Sequence, residues 1–203
     1  MKINPTKQKV VDAASFLFFQ KGFHGTSVRD IAGKASVNVS LISYYFKGKQ
    51  GLLEYAVTNY FENYLTLLEE EIESNESLED VEKLKKVINA IIHYKTEHFQ
   101  LTSFIHRELS LDSTFVREMT VTYLAKENYI LKTLFFSVLG ERYKRRRNFL
   151  YMQLKGMLAS PYILKHEWNT QMLDEHAFKN FVRNYTESIN QWLQFVCETA
   201  RTN

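Results

Sequence analysis

Proline and glycine are scarce, with 2 and 7 in 203 residues. A many-stranded fold needs those residues at its turns, so a β-rich architecture is excluded. Leu, Glu, Lys and Phe instead recur at three- and four-residue spacing, which predicts an all-α chain. Cysteine occurs once, at Cys197, so no internal disulfide can form. No apolar run approaches the ~18 residues of a membrane-crossing helix; even YILKTLFFSVLG is interrupted by Lys132. The opening MKINPTKQKV lacks the apolar stretch of a secretory signal, and a reducing, cytoplasmic location is the expectation. With 45% hydrophobic and 24% charged residues, the chain has ample material for one or two packed units.

Catalytic and metal-binding patterns are missing as well. In HYKTEH, His93 and His98 stand five residues apart rather than the four that stack two ligands on one helical face. GKASV and FKGKQG lack the spacing of a phosphate-binding loop, and nothing around Cys197 marks a nucleophile. An enzyme is not expected, nor is a metal or a cofactor.

What is present is a concentration of positive charge at one end. Residues 1–50 hold eight Lys and Arg against Asp12 and Asp30, a net +6 that leaves −3 for the rest of a chain whose total is +3. A cationic region beside a mildly acidic body suits a polyanion, whose neutralised phosphates release counterions, although a solvated surface has the same composition.

Three helices are predicted in this basic region. The first runs from about Thr6 to Lys21, with Val10, Ala13, Ala14, Leu17 and Phe18 on its apolar stripe and Gly22 as its stop. Thr26 reads as the N-cap of a second, short helix carrying Val28, Ile31, Ala32 and Ala35. Beyond it comes SVN, in which Asn38 can cap a third helix spanning about Val39 to Phe46. Eight residues at ~1.5 Å each make roughly 12 Å, close to the width of the DNA major groove. Two short helices joined by a tight turn, with a longer one in front, describe a helix-turn-helix module.

On the third helix Ile42 and Phe46 lie one turn apart and face the core, which turns Ser40, Ser43 and Tyr44 outward. Short hydroxyl side chains let the backbone approach base edges, and a tyrosine hydroxyl reaches a phosphate oxygen without a charge. Lys47 and Lys49 stand at the start of the next helix, where the N-terminal dipole also favours a phosphate. A Tyr-Tyr-Phe cluster alone reads as core packing; the cap, the turn and the lysines together favour a binding surface.

The stretch AASFLFFQKGFHGTSVRDIAGKASVNVSLISYYFKGKQGLL resembles the N-terminal DNA-binding domain of TetR-type transcriptional regulators over residues 6–53. Three positions depart from the family pattern. Ser36 replaces the usual turn glycine, so a left-handed turn there would cost on the order of 1 kcal/mol; Leu41 and Ser43 also differ from the common residues. The resemblance implies that Val39, Ser40 and Ser43 lie nearest base edges. It places Thr26, Tyr44, Tyr45 and Lys49 at the DNA backbone, with Arg29 as a further contact. Neither serine has the bidentate reach of Arg or Asn, so direct readout should be modest.

The domains expected are residues 1–50 for DNA binding and 51–203 for a C-terminal helical regulatory and dimerisation bundle. Helices are predicted over about 50–73, 78–99, 100–109, 113–139, 142–165 and 174–199, with Ser77 as the cap of the second of these. The resemblance implies a homodimer pairing through the last two helices, whose Phe149, Met152, Met157, Phe178, Phe181, Tyr185, Ile189, Trp192 and Val196 serve equally as intramolecular core. Aromatics in the middle helices suit either a ligand pocket or plain packing. The basic run Arg142, Lys144, Arg145, Arg146 and Arg147 reads as a second anionic-partner patch or as a solvated surface.

The function expected is binding of a pseudo-palindromic duplex, most simply by a repressor that answers to a small-molecule effector. The alternative is a DNA-bound scaffold whose bundle contacts a protein. Over its whole length the chain resembles a member of the family associated with bacterial cell division through the tubulin-like division protein.

Overall fold

The computed structural model describes residues 4–109, 114–164 and 175–201. They form two compact units, one of residues 1–63 with 98–110, the other of residues 64–97 with 111–203. The break expected at residue 50 falls at the start of a long helix, α4 (Lys49–Ser74), which contributes to both units.

In the first unit α1 (Pro5–Lys21) starts where Asn4 accepts the Thr6 N–H at 2.9 Å, with Pro5 fitting a first turn that needs no N–H. It stops at Gly22, whose φ of +74° is open to glycine and whose N–H returns to the Phe18 carbonyl. Val10, Ala14, Leu17 and Phe18 are buried against α2 (Val28–Ala35) and α6 (Phe99–Glu108). Phe18 packs on Phe104 of α6 at 5.4 Å between centroids, and Arg107 donates to the Phe18 and Phe19 carbonyls at 2.6 and 3.2 Å. A guanidinium thus satisfies the last turn of α1, where the dipole is negative. These contacts place α6 with the first unit, although it lies 50 residues beyond the module in sequence.

Three boundaries differ from the sequence expectation. Ser27, not Thr26, caps α2, in a reciprocal box with Asp30: Ser27 Oγ accepts the Asp30 N–H at 3.1 Å while Asp30 accepts the Ser27 N–H at 2.9 Å. Helix α5 (Asp80–Glu97) starts three residues beyond Ser77, with Asp80 and Glu82 in its first turn. The segment predicted as one helix over 113–139 is α7 (Thr114–Met119), a π-helical turn (Thr120–Leu124) and α8 (Ala125–Val138).

The second unit is a bundle of α4, α5, α7, α8, α9 (Arg147–Ile163) and α10 (Glu175–Arg201). Leu84, Val87, Ile88 and Ile91 of α5, Leu131 and Phe135 of α8, Leu154 and Leu158 of α9, and Ile189 and Leu193 of α10 form its core. Pro161 inside α9 has no N–H for the Met157 carbonyl one turn back; the Tyr185 hydroxyl of α10 donates to that carbonyl at 2.5 Å instead.

This core encloses charge. Glu127 is 2% exposed and accepts from Tyr64 Oη at 2.8 Å, Lys95 Nζ at 3.2 Å and Lys155 Nζ at 2.9 Å. Burial alone would raise its pKa, but the two ammonium groups outweigh burial and hold the carboxyl below the usual carboxylate range. Lys95 is pushed down by its own burial, against the attraction of Glu127.

Because the folded pKa of Glu127 is depressed, its stabilisation is complete above the ordinary glutamate pKa of about 4.3 and is lost as pH falls through the folded value. Glu127→Gln leaves two cations facing a neutral amide, one of them deeply buried, and should lower stability at pH 7 by about 3–5 kcal/mol. The wild-type advantage should shrink steadily below about pH 4.3 in urea unfolding of the full chain. A constant difference across that range would show that the carboxylate charge contributes nothing.

Candidate nucleic-acid interface

The outer face of the first unit is built by α3 (Val39–Phe46) and the turns that bracket it. On the near side α2 ends at Ser36 with φ +55° and ψ +44°, where the Ser36 and Val37 N–H groups turn back to the Gly33 and Ala32 carbonyls. The turn is therefore left-handed, and serine carries the strain that the usual glycine avoids. Asn38 then caps α3, its Oδ1 accepting the Ser40 N–H at 2.9 Å and the Ser40 hydroxyl at 2.8 Å. On the far side Lys47 has φ +58° and Gly48 +111°, and α4 begins at once. Gly51 lets that corner close, since a Cβ there would collide with the Phe46 carbonyl oxygen.

With both ends fixed, α3 buries Ile42 and Phe46 and exposes Val39, Ser40, Ser43 and Tyr44, the last at 79%. Eight residues cannot hold a helix by propensity alone, so these two buried side chains and the Asn38 cap set its orientation. Tyr45 is half-buried, with its ring 5.1 Å from that of Tyr44. Arg29 and Lys47 are exposed, and their side chains make no hydrogen bond or ion pair among the described residues. Asp30 nearby is held below the usual carboxylate range by its hydrogen bonds from Ser27.

Thr26 and Lys49 are placed differently from the others. Thr26 is 1% exposed, and its hydroxyl lies 2.8 Å from the Gly22 carbonyl and 3.2 Å from that of Leu17. No exposed hydroxyl is left to meet a phosphate. Lys49 donates to the Phe23 and Thr26 carbonyls, both at 2.8 Å, with its ammonium 4.3 Å from the Phe23 ring centroid. An ammonium has three N–H groups, so one is left after the two carbonyls are served. Spacing along the chain carried no signal of this task, because the carbonyls lie 26 and 23 residues before the lysine.

The family model for bacterial regulatory proteins of the tetR family matches residues 10–56. The probable HTH-type transcriptional regulator YttP of Bacillus subtilis is 38% identical over 98% of this chain and 97% of its own length. The chain belongs to the tetR family of bacterial regulatory proteins. It is thus a DNA-binding transcriptional regulator, and its relatives are regulators rather than enzymes. Among solved structures, a TetR-like transcriptional regulator from Rhodococcus sp. RHA1 aligns with a TM-score of 0.64 at 16% identity, covering 92% of this chain and 96% of that one. The fatty acid degradation regulator FadR of Bacillus halodurans aligns with a TM-score of 0.63 at 17% identity, over 90% and 97%. At those identities the likeness is one of fold, the all-helical fold of TetR regulators.

Lys49 gives this site its test. Lys49→Met keeps the aliphatic stem but removes the donor from two carbonyls. A hydrogen bond to a charged group contributes about 1.5–3 kcal/mol, so the melting temperature of this TetR-family chain should fall by roughly 3–12 °C. Melting like the wild type would show that water serves those carbonyls equally well.

Proposed function

We propose that the protein is a homodimeric repressor that binds a pseudo-palindromic duplex, one α3 entering the major groove of each half-site. The observation that carries this reading is the division of α3 into a buried pair, Ile42 and Phe46, and an open row of Val39, Ser40, Ser43 and Tyr44. Val39, Ser40 and Ser43 read base edges; Tyr44, Tyr45, Lys47 and Arg29 hold phosphates, and Lys49 offers its third N–H to another. Thr26 acts from beneath, by fixing the loop before α2. Such a protein works in the cytoplasm, on the nucleoid; no helix among the described residues is long and apolar enough to cross a membrane.

TetR regulators act as homodimers, and the surface of α9 supports pairing through the last two helices. Phe149 and Met152 are 66% and 68% exposed, Ile163 is exposed farther along, and a Cβ added at Gly156 between them would meet only open space. The intervals of three, four and seven residues keep all four on one side of the helix, and a glycine there admits a second helix closely. Phe178, expected at the same interface, falls among residues whose side chains lie outside the described set. An effector bound in the second unit would favour the DNA-free state and weaken DNA binding by the same factor.

A second reading is a DNA-bound scaffold acting in cell division, supported by the whole-chain resemblance to RefZ-like members of the family. Genome-wide mapping of bound sites separates the two: promoter positions favour repression, isolated chromosomal sites the scaffold.

Three outcomes are expected. Met152→Glu with Phe149→Glu should sediment as a monomer at micromolar concentration where the wild type is a dimer, and a wild-type monomer on operator DNA would refute the pairing. Replacing Ser40 or Ser43 should change which sites are preferred in selection from a random pool. Tyr44→Phe should weaken selected and random duplexes by similar factors and leave the salt dependence intact. Unchanged site preference in both serine variants would leave α3 without a reading role.

A further inference from the structure

Lys7 stands in the first turn of α1, outside the helix-turn-helix pair, yet its ammonium lies beside the recognition helix. Its Nζ is 5.3 Å from the ring centroid of Tyr45 on α3 and 5.6 Å from that of Tyr55 on α4. Asn4, which caps α1, donates to the Tyr45 hydroxyl at 3.4 Å. Tyr45 in turn packs on the exposed Tyr44. The start of α1 and the outward face of α3 are thus joined through one half-buried tyrosine.

Aromatic faces attract a cation without neutralising it. No carboxylate lies within ion-pair distance of Lys7 among the described residues. The first turn of α1 carries no acidic side chain, and Asp12, the nearest acid on the same helix, accepts instead from Gln8 at 2.8 Å. Two rings therefore hold a positive charge in place beside Tyr45, whose own ring packs on Tyr44. Lys49, by contrast, has given two of its three donors to carbonyls, and Lys34 is drawn over Phe16, 3.5 Å from that ring centroid.

We propose that Lys7 is a DNA-backbone contact of this regulator: its ammonium, set by the Tyr45 and Tyr55 rings, neutralises a phosphate beside the one reached by Tyr44. This rests on the reading that α3 enters the groove. The role is positioning, since a phosphate carries no base identity but fixes the register in which α3 meets the bases. It also gives Tyr45 a task apart from direct contact, namely to hold Lys7 at the edge of the interface.

The test uses the full-length protein and two duplexes of equal length, one selected from a random pool by the wild type and one scrambled. Affinities are measured by fluorescence anisotropy across a salt series. Lys7→Gln should weaken both duplexes by a similar factor, about three- to tenfold at low salt. It should reduce the slope of log affinity against log salt by about 0.9 per subunit, because one counterion-releasing charge is gone. Lys7→Arg should restore the slope, and thermal melts of both variants should stay within a few degrees of wild type. An unchanged slope for Lys7→Gln overturns the proposal, as does a loss of affinity that tracks a loss of melting temperature and is not rescued by arginine. The outcome also separates this proposal from the reading beneath it. If Tyr44→Phe weakens binding while Lys7→Gln does not, only Lys7 is misassigned; if neither variant matters and the serine variants keep the wild-type preference, α3 itself is not the reading element.

Discussion

The proposed binding surface depends on a clasp of carbonyls at the end of α1 and in the loop before α2. Thr26 reaches back to the Gly22 and Leu17 carbonyls, and Lys49 reaches in from the start of α4 to those of Phe23 and Thr26. The loop entering α2 and the helix leaving α3 are thereby tied to each other, and the α2–α3 pair is held between them. A charge-assisted bond to a carbonyl contributes more than a neutral one, and the Phe23 ring shields this one at 4.3 Å. Without such a tie, two eight-residue helices have too few internal hydrogen bonds to keep a fixed orientation.

Strain is placed along the same path. Ser36 and Lys47, the residues that end α2 and α3, both take left-handed φ angles that favour glycine. Each costs on the order of 1 kcal/mol, and each turns the chain sharply enough to keep α3 short. The buried pair Ile42 and Phe46 offsets that cost, since a fully buried aliphatic or aromatic side chain contributes about 1.5–3 kcal/mol. A short helix held at both ends and from below leaves its outer row free of any folding task.

Periodicity and caps made much of this legible. The four-residue spacing of Ile42 and Phe46 identified the inward face, Gly22 the end of α1, and Asn38 the start of α3. Thr26 was misplaced because Thr and Ser are adjacent and both can cap. The capping box decides between them: the third residue after Ser27 is Asp30, whereas after Thr26 it is Arg29, so the pattern was readable and points to Ser27. The tasks of Lys49, Lys7 and Glu127 were not readable. Their partners lie between 23 and 63 residues away in sequence, and a lysine whose partner is a carbonyl or a ring has no complementary charge to betray it. Arg107 was hidden in the same way, meeting α1 carbonyls 88 and 89 residues earlier.

On the proposed reading of α3, the chemistry of the outward row sets how this regulator discriminates among sites. Serine makes single hydrogen bonds to base edges, where bidentate arginine or asparagine distinguishes a base by about 1–3 kcal/mol. With Ser40 and Ser43 in the proposed role of polar readers, each half-site would be distinguished weakly by direct contact. In the proposed roles, phosphate contacts matter beyond their charge: Tyr44, Lys7 and Lys47 would fix where α3 sits along the backbone, and a sequence whose groove width or bend brings its phosphates to those points would be favoured without being touched at its bases. In the proposed homodimer, doubling the module would multiply this effect, because two rigidly framed helices accept only half-sites at one spacing. Specificity in such a design resides in the spacing of the contacts as much as in their identity, which explains why so much of the first unit is spent on holding eight residues still.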